Sequence, residues 1–112
     1  LFRSYSLRCF MTKANNTWNV ANGSSFGTVS SGNWYYIVLT RSGSTFTKYF
    51  NGSSAGTFTS TGTLYNNGGR LNIGEYSNSA AGFASVCRIH KGTALSATQV
   101  LENYNAQLLK HY

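Results

Sequence analysis

The fold is decided by residues 34–52, which read WYYIVLTRSGSTFTKYFNG. Residues 34–41 are aromatic or β-branched nearly throughout and predict a strand, which ends at Ser42-Gly43-Ser44. Residues 45–50 alternate between two faces and predict a second strand. That strand stops at Asn51-Gly52, the dipeptide that best tolerates the positive φ angles of a tight hairpin turn. The stretch therefore predicts neighbouring antiparallel strands.

Short strands separated by turns are predicted along most of the remaining chain. The candidates are residues 4–11, 26–29, 56–59, 70–76 and 82–90. Their spacing is typical of a sandwich of antiparallel strands rather than of βαβ units. The chain has 112 residues, 41% of them hydrophobic, and a chain of this length buries roughly two-thirds of its unfolded surface, which predicts one domain over residues 1–112. We expect the core to contain Trp34, Ile37, Leu39, Phe50, Ile73, Phe83 and Ile89.

A single short helix is predicted after the last strand. Ser96 is a favoured N-cap and Gln99 completes a capping box, so the helix begins at Ala97. Leu95 can pack against Val100 as a hydrophobic staple. The predicted fold class is therefore all-β, an antiparallel β-sandwich with one short C-terminal α-helix. The helix is expected to dock on the sandwich through an apolar stripe of Ala97, Val100, Leu101, Tyr104 and Leu108.

Acidic residues are almost absent, which removes most catalytic chemistry. Nine Lys and Arg residues stand against only Glu75 and Glu102, giving a net charge of +7. Glycoside hydrolysis normally needs two carboxylates a few ångströms apart, and a Ser-His-Asp triad needs an orienting acid. A Cys–His pair remains as an alternative, either Cys87 with His90 or one of the histidines with Cys9. Cys87 and His90, however, are three apart on a predicted strand and point to opposite faces. We therefore predict no catalytic residues and no enzyme activity.

The positive charges are scattered along the chain and form no cluster or helical stripe. Specific nucleic-acid recognition is therefore not expected. We do expect a general attraction to polyanions, such as an acidic capsid surface, lipopolysaccharide phosphates or sulfated sugars. The longest apolar run, residues 34–39, is far shorter than the ~20 residues that span a bilayer, so no membrane insertion is expected. His90 and His111 lack partners at metal-ligand spacing, which predicts no metal site and no cofactor.

Aromatic and amide side chains in the predicted loops suit the recognition of neutral sugars. Aromatic rings stack on apolar sugar faces, while amides bind hydroxyl groups. Each ring has an alternative role, which is to cover a sheet edge or a hairpin. The candidate sugar-binding residues are Trp18, Tyr65, Asn66, Asn67, Tyr76 and Asn78.

Four motifs in order resemble the laminin-G-like branch of the concanavalin A-like lectin/glucanase superfamily. They are the strand led by Trp34, a Tyr-x-Asn-Gly strand end at residues 49–52, an Ile-Gly strand end at residues 73–74 and the segment of residues 88–104. The resemblance implies a jelly-roll sandwich. The Lys-Gly-x-Ala-Leu-Ser and Asn-Tyr-Asn-Ala sequences at residues 91–96 and 103–106 are similar to copies found in bacteriophage structural proteins. The run of catalytic acids of the glucanase members has no counterpart here.

The resemblance also bears on chain length, calcium and the cysteines. A complete domain of the family usually carries additional N-terminal strands, so we expect the C-terminal part of a longer chain, with an exposed sheet edge that another chain could fill. Many relatives bind calcium, but without Asp this chain is expected to hold no tightly bound ion. Terminal strands can be neighbours in such sandwiches, which leaves a disulfide between Cys9 and Cys87 open as an alternative to Cys87 packing as a small core residue.

Two functions are compatible with the predicted fold and with the scarcity of acidic residues. The first is a non-catalytic structural or surface module of a virion, such as a decoration, fibre or tail protein, whose partners are other subunits in a homo- or hetero-oligomer. The alternative is a lectin-like adhesin domain that binds a cell-surface glycan. Both functions imply a location on a virion surface or outside the cell.

Overall fold

The computed structural model describes residues 4–11, 19–64, 73–76, 78–79 and 82–111, with the backbone alone at residues 4, 75–76 and 78–79. In this described part of the chain, seven strands precede one helix: β1 Ser4–Met11, β2 Ala21–Ser30, β3 Ile37–Ser42, β4 Thr45–Phe50, β5 Ser53–Thr59, β6 Glu75–Tyr76, β7 Asn78–Ser79 and α1 Ala97–His111. All strand pairs are antiparallel. They form a β1-β2 sheet, a β3-β4-β5 sheet and a small β6-β7 pair. The predicted all-β class with one C-terminal helix is confirmed.

The β1-β2 sheet is a long hairpin with two irregularities. Its register shifts between Leu7 and Arg8 and again between Cys9 and Phe10. The second shift falls opposite Gly23, whose φ of 72° suits a bulge in which glycine takes the left-handed conformation. Such bulges bend a strand and increase its twist. The hairpin can therefore curve over the second sheet.

The three-stranded sheet is built on the two predicted strands and the predicted turn. Asn51 and Gly52 join β4 to β5 with φ angles of 50° and 82°, as expected for a type I′ turn. The predicted strand from Trp34, however, becomes regular only at Ile37. Opposite Tyr36 lies the turn rather than a strand, since the Asn51 amide N–H donates to the Tyr36 carbonyl at 2.7 Å and the Asn51 side-chain Oδ1 accepts from the Tyr36 amide at 2.9 Å.

The two sheets pack through β2 and β4. The Phe50 ring lies against Gly27, where a Cβ atom would be 3.4 Å from three of its ring carbons. Lys48 Nζ crosses between the layers to donate to the Ser25 carbonyl at 2.7 Å. The Phe46 and Phe58 rings, on paired positions of β4 and β5, stack with centroids 4.8 Å apart. The buried apolar residues among those described are Val20, Ala21, Phe26, Phe46, Tyr49 and Val100.

The helix begins where the capping box predicts. The Ser96 hydroxyl accepts from the Gln99 amide at 3.2 Å, and Gln99 Oε1 accepts from the Ser96 amide at 2.9 Å. The helix then crosses the β4-β5 turn, because a Cβ atom on Gly52 would lie 2.7 Å from Tyr104 Cδ1 and 3.0 Å from Leu101 Cδ1. These reciprocal bonds confirm the predicted start at Ala97.

The buried face of the helix differs from the predicted stripe. Val100 is fully buried, and Tyr104 and Leu108 are half-buried, but Ala97 and Leu101 are exposed. The other buried position is the polar Gln107. The reason is that the helix packs across the end of a hairpin, a narrow support that covers fewer residues than a sheet face would.

Several core predictions are wrong. Phe83 and Ile89 are 92% and 79% exposed, Trp34, Ile37 and Ile73 are also exposed, and only Leu39 and Phe50 are even half-buried. Residues 82–90 form no strand, and of the predicted strand at residues 70–76 only Glu75–Tyr76 is extended among the described residues. Burial needs a second layer, and no described element covers residues 82–90. Cys87, expected as a small core residue, is exposed for the same reason.

Candidate functional site

The predicted sugar-binding residues fall mostly outside the described part of the chain. This holds for Trp18, Tyr65 and residues 66–67. Tyr76 and Asn78 are described through their backbone, and the structure brings them together as directly opposite partners of β6 and β7. Their role in sugar binding stays a prediction.

A polar depression lies at one end of the three-stranded sheet. It has a volume of about 330 Å³, is open to solvent, and is lined by Asn19, Thr59, Ser60 and Thr61. All four side chains carry a hydroxyl or an amide group. Asn19 directly follows Trp18, one of the predicted sugar-binding residues. We refer to these four residues as the polar depression.

Backbone hydrogen bonds hold both walls of the polar depression in place. Thr59 is the last residue of β5 and lies opposite Thr45, and the Ser60 amide donates to the Ser44 carbonyl at 2.9 Å. On the other wall, the residue after Asn19 is Val20, whose amide donates to the Met11 carbonyl at 3.2 Å. The depression is therefore built where the β3-β4 turn, the end of β5 and the start of β2 meet.

Arg41 borders this site. Its Nη2 donates to the Gly62 carbonyl at 2.6 Å and its Nε donates to the Gly43 carbonyl at 2.9 Å. The guanidinium carbon lies 5.1 Å from the centroid of the Phe46 ring, within cation–π range. Arg41 thus ties the β3-β4 turn to the chain just beyond Thr61, while the side chain as a whole stays exposed.

A second cluster lies at the opposite end of the sheet, under the C-terminus of α1. Ser85 Oγ is 3.1 Å from His111 Nε2, and the Trp34 and His111 rings are 5.0 Å apart. A Ser–His contact is half of a nucleophilic site, but catalysis also needs a group that orients the imidazole. In the described part of the chain, His111 contacts Ser85 and Trp34, and neither of these carries a carboxylate.

Among the side chains that the structure describes, two ionisable groups have shifted pKa values. Burial raises the pKa of the Cys9 thiol, and the positive charge of Lys48 opposes this only in part. Hydrogen bonds from the Ser30 hydroxyl and amide lower the pKa of the Tyr35 phenol. Cys9 and Cys87 are both free thiols, so the disulfide alternative is not formed in this structure.

The described residues offer neither a cluster of metal ligands nor a membrane-spanning helix. No group of three or more His, Cys, Asp or Glu side chains that could hold a metal ion occurs in that part of the chain. Within the same residues, no helix combines the length and the apolar character needed to cross a bilayer.

Sequence reasoning missed the polar depression and Arg41. Thr59, Ser60 and Thr61 stand in a run of small polar residues that looks like any surface turn. The available signal was the position of Asn19 beside the predicted ligand residue Trp18. The role of Arg41 could not be predicted from residue types, because Arg41 donates to the backbone carbonyl groups of Gly43 and Gly62. A residue of any type provides such a carbonyl group.

The described residues define a two-layer antiparallel β-sandwich with a capped C-terminal helix. A family model of the laminin G type, described as the concanavalin A-like lectin/glucanases superfamily, matches residues 1–101 of the 112. The chain belongs to this family, as its motifs predict. The narrower likeness to bacteriophage copies is not supported by the comparisons and stays a prediction.

A solved structure of similar fold comes from an S-layer domain-containing protein of Clostridium thermocellum. It superposes with a TM-score of 0.58 at 24% sequence identity and covers 75% of this chain. The chain spans about half of that structure, 48% of its length. At this identity the likeness establishes the fold alone. A search of curated proteins found no match.

Proposed function

We propose that the chain is a non-catalytic binding module that recognises carbohydrate at the polar depression. The observation that carries the proposal is the lining itself, in which every side chain can exchange hydrogen bonds with sugar hydroxyl groups. Trp18 precedes Asn19 in the sequence, and its indole is a ring of the kind that stacks on a sugar face. Membership of a family that includes lectins is compatible with this role.

The non-catalytic part of the proposal rests on the scarcity of carboxylates. The whole sequence contains only Glu75 and Glu102, whereas a glycosidase usually places two carboxyl groups about 5–9.5 Å apart across the scissile bond. Glu102 is exposed on α1, and α1 crosses the β4-β5 turn at the other end of the sheet from the polar depression. A depression with at most one nearby acid can hold a glycan without hydrolysing it.

The test removes one hydroxyl group from the lining. Thr59→Val keeps the size and β-branching of the side chain, and Thr57→Val is the matched control on the same exposed face of β5. Retention on a panel of immobilised polysaccharides should fall by about two- to tenfold for Thr59→Val, the value of one hydrogen bond, and stay unchanged for Thr57→Val. The proposal fails if the native chain binds no polysaccharide or if the two variants behave alike.

A second candidate function is structural, as a module of a surface assembly such as a virion, fibre or other extracellular layer. The observation that favours it is the exposure of Phe83, Val86 and Ile89 in a segment that pairs with no described strand. Apolar side chains and open strand edges promote association between chains. This candidate predicts oligomers in light scattering that dissociate in Phe83→Ser. The control Leu109→Ser removes an equally exposed side chain from α1. A monodisperse native monomer at high concentration would exclude this role.

A further inference from the structure

We infer that the polar depression takes an acidic glycan, whose carboxylate is bound by Arg41. This inference rests on the proposed carbohydrate-binding function and names the class of sugar. Arg41 Nη2 lies 2.6 Å from the Gly62 carbonyl oxygen, and Gly62 follows Thr61 of the depression wall. The Cα atoms of Thr61 and Gly62 are about 3.8 Å apart, as in any two consecutive residues. A guanidinium group bound to Gly62 therefore lies at the rim of the depression that Thr61 lines.

The guanidinium group has hydrogen-bonding capacity left for a ligand. An arginine side chain carries five N–H groups, and the hydrogen bonds to Gly43 and Gly62 use one on Nε and one on Nη2. The three others belong to the two terminal nitrogens, and the side chain is exposed. Paired N–H groups on terminal nitrogens match the two oxygens of a carboxylate. A uronic acid residue supplies such a carboxylate on a sugar ring.

Arg41 is also held in place before any ligand arrives. Two backbone carbonyls and the face of Phe46 restrain its side chain. Phe46 is itself 2% exposed and stacks on Phe58, so the support is rigid. An exposed arginine normally loses much conformational freedom when it binds an anion, and a restrained one loses less. This arrangement favours a function for Arg41 beyond general solubility.

The electrostatic field of the chain favours the same class of ligand. The net charge is +7, with only two acidic residues in the whole sequence. A carboxylate at the depression therefore meets little repulsion from the protein. Neutral hydroxyl and amide groups in the wall then bind the sugar ring, while the charge at the rim selects the acidic form.

The experiment compares a polyuronate with its carboxyl-reduced form, which has the same sugar backbone without the charge. Dissociation constants are measured for the native chain, Arg41→Gln and Arg41→Lys. The matched control is Arg88→Gln, an exposed arginine three residues from Ser85 and hence near the α1 end of the sheet. The native chain should bind the polyuronate about tenfold more tightly than the reduced polymer, as expected for one charged bidentate contact.

Arg41→Gln should bring both polymers to the same affinity, and Arg88→Gln should preserve the difference. Arg41→Lys should retain part of it, because the charge stays while the paired N–H geometry is lost. Raising the salt from about 20 mM to about 300 mM should narrow the preference in the native chain, since screening shortens the range of charge interactions.

The remaining outcomes separate the two proposals. Equal binding of both polymers by the native chain refutes the acidic-glycan inference and leaves carbohydrate binding standing. Equal losses in Arg41→Gln and Arg88→Gln mean general polyanion attraction and also refute it. If Arg41→Gln loses binding to both polymers while Arg88→Gln does not, Arg41 only positions residues 59–62. This outcome refutes a direct contact between Arg41 and the ligand. Binding of neither polymer by the native chain, with no other glycan of the panel bound, refutes the carbohydrate function itself.

Discussion

Replacing Gly52 by Ala tests how the helix is held on the sandwich. Gly52 has a φ of 82° and lies under α1, where an added Cβ would be 2.7 Å from Tyr104 Cδ1 and 3.0 Å from Leu101 Cδ1. The left-handed backbone costs an alanine about 1–2 kcal/mol, and forcing a methyl group into a packed contact costs about 1–3 kcal/mol more. The free energy of unfolding should therefore fall by roughly 3 kcal/mol.

The matched control is Gly32→Ala, because Gly32 has the same φ of 82° and no heavy atom within 4 Å of its Cβ position. It should show the backbone cost alone, about 1–2 kcal/mol. Urea unfolding followed by tryptophan fluorescence measures both variants. At about 4 °C per kcal/mol for a domain of this size, Gly52→Ala should also lower Tm by roughly 12 °C. Equal destabilisation by the two substitutions would show that α1 does not pack on this turn as described.

Three other changes test separate parts of the chain. Ser96→Ala removes the N-cap hydroxyl that accepts from Gln99 and should cost about 1 kcal/mol in urea unfolding, whereas Thr98→Ala should cost nothing; similar values for both would contradict the capping box. Burial raises the pKa of the Cys9 thiol, so the folded chain holds this proton more tightly than the unfolded chain. The contribution of Cys9 to the free energy of unfolding is therefore fully present at neutral pH and is lost as the pH rises through the raised pKa. A thiol reagent should accordingly modify exposed Cys87 first, and a single fast phase for both thiols would refute this burial. Tyr65→Ala should abolish binding on a glycan array with folding retained if Tyr65 contacts sugar, and undiminished binding would remove Tyr65 from the site.

Local interactions made two parts of the fold predictable. The capping box of Ser96 and Gln99 joins residues three apart, so its geometry follows from the chain itself. The turn at Asn51-Gly52 is similar, since positive φ angles are available to these residue types wherever they occur. The strand bounds of β1 and β4 also match their sequence patterns.

Burial was much less predictable than secondary structure. Phe83 and Ile89 are as apolar as Phe46, yet Phe46 is 2% exposed and Phe83 is 92% exposed. The difference lies in what covers each residue: Phe46 has Phe58 beside it, whereas no described strand pairs with residues 82–90. Hydropathy indicates which side chains would stabilise the fold if they were buried. Which of them are in fact buried depends on the strands and helices that pack beside them.

The sequence by itself determined the family, the all-β class, the helix start and the scarcity of acids, because each depends on residue identity or on neighbours a few positions apart. Tertiary structure alone decided that Asn19 meets Thr59, Ser60 and Thr61, and that Arg41 stands at their rim. These residues come from β2, β3 and β5 or the segments beside them. Their meeting depends on register, turn geometry and sheet packing, which are long-range properties that a local pattern does not encode.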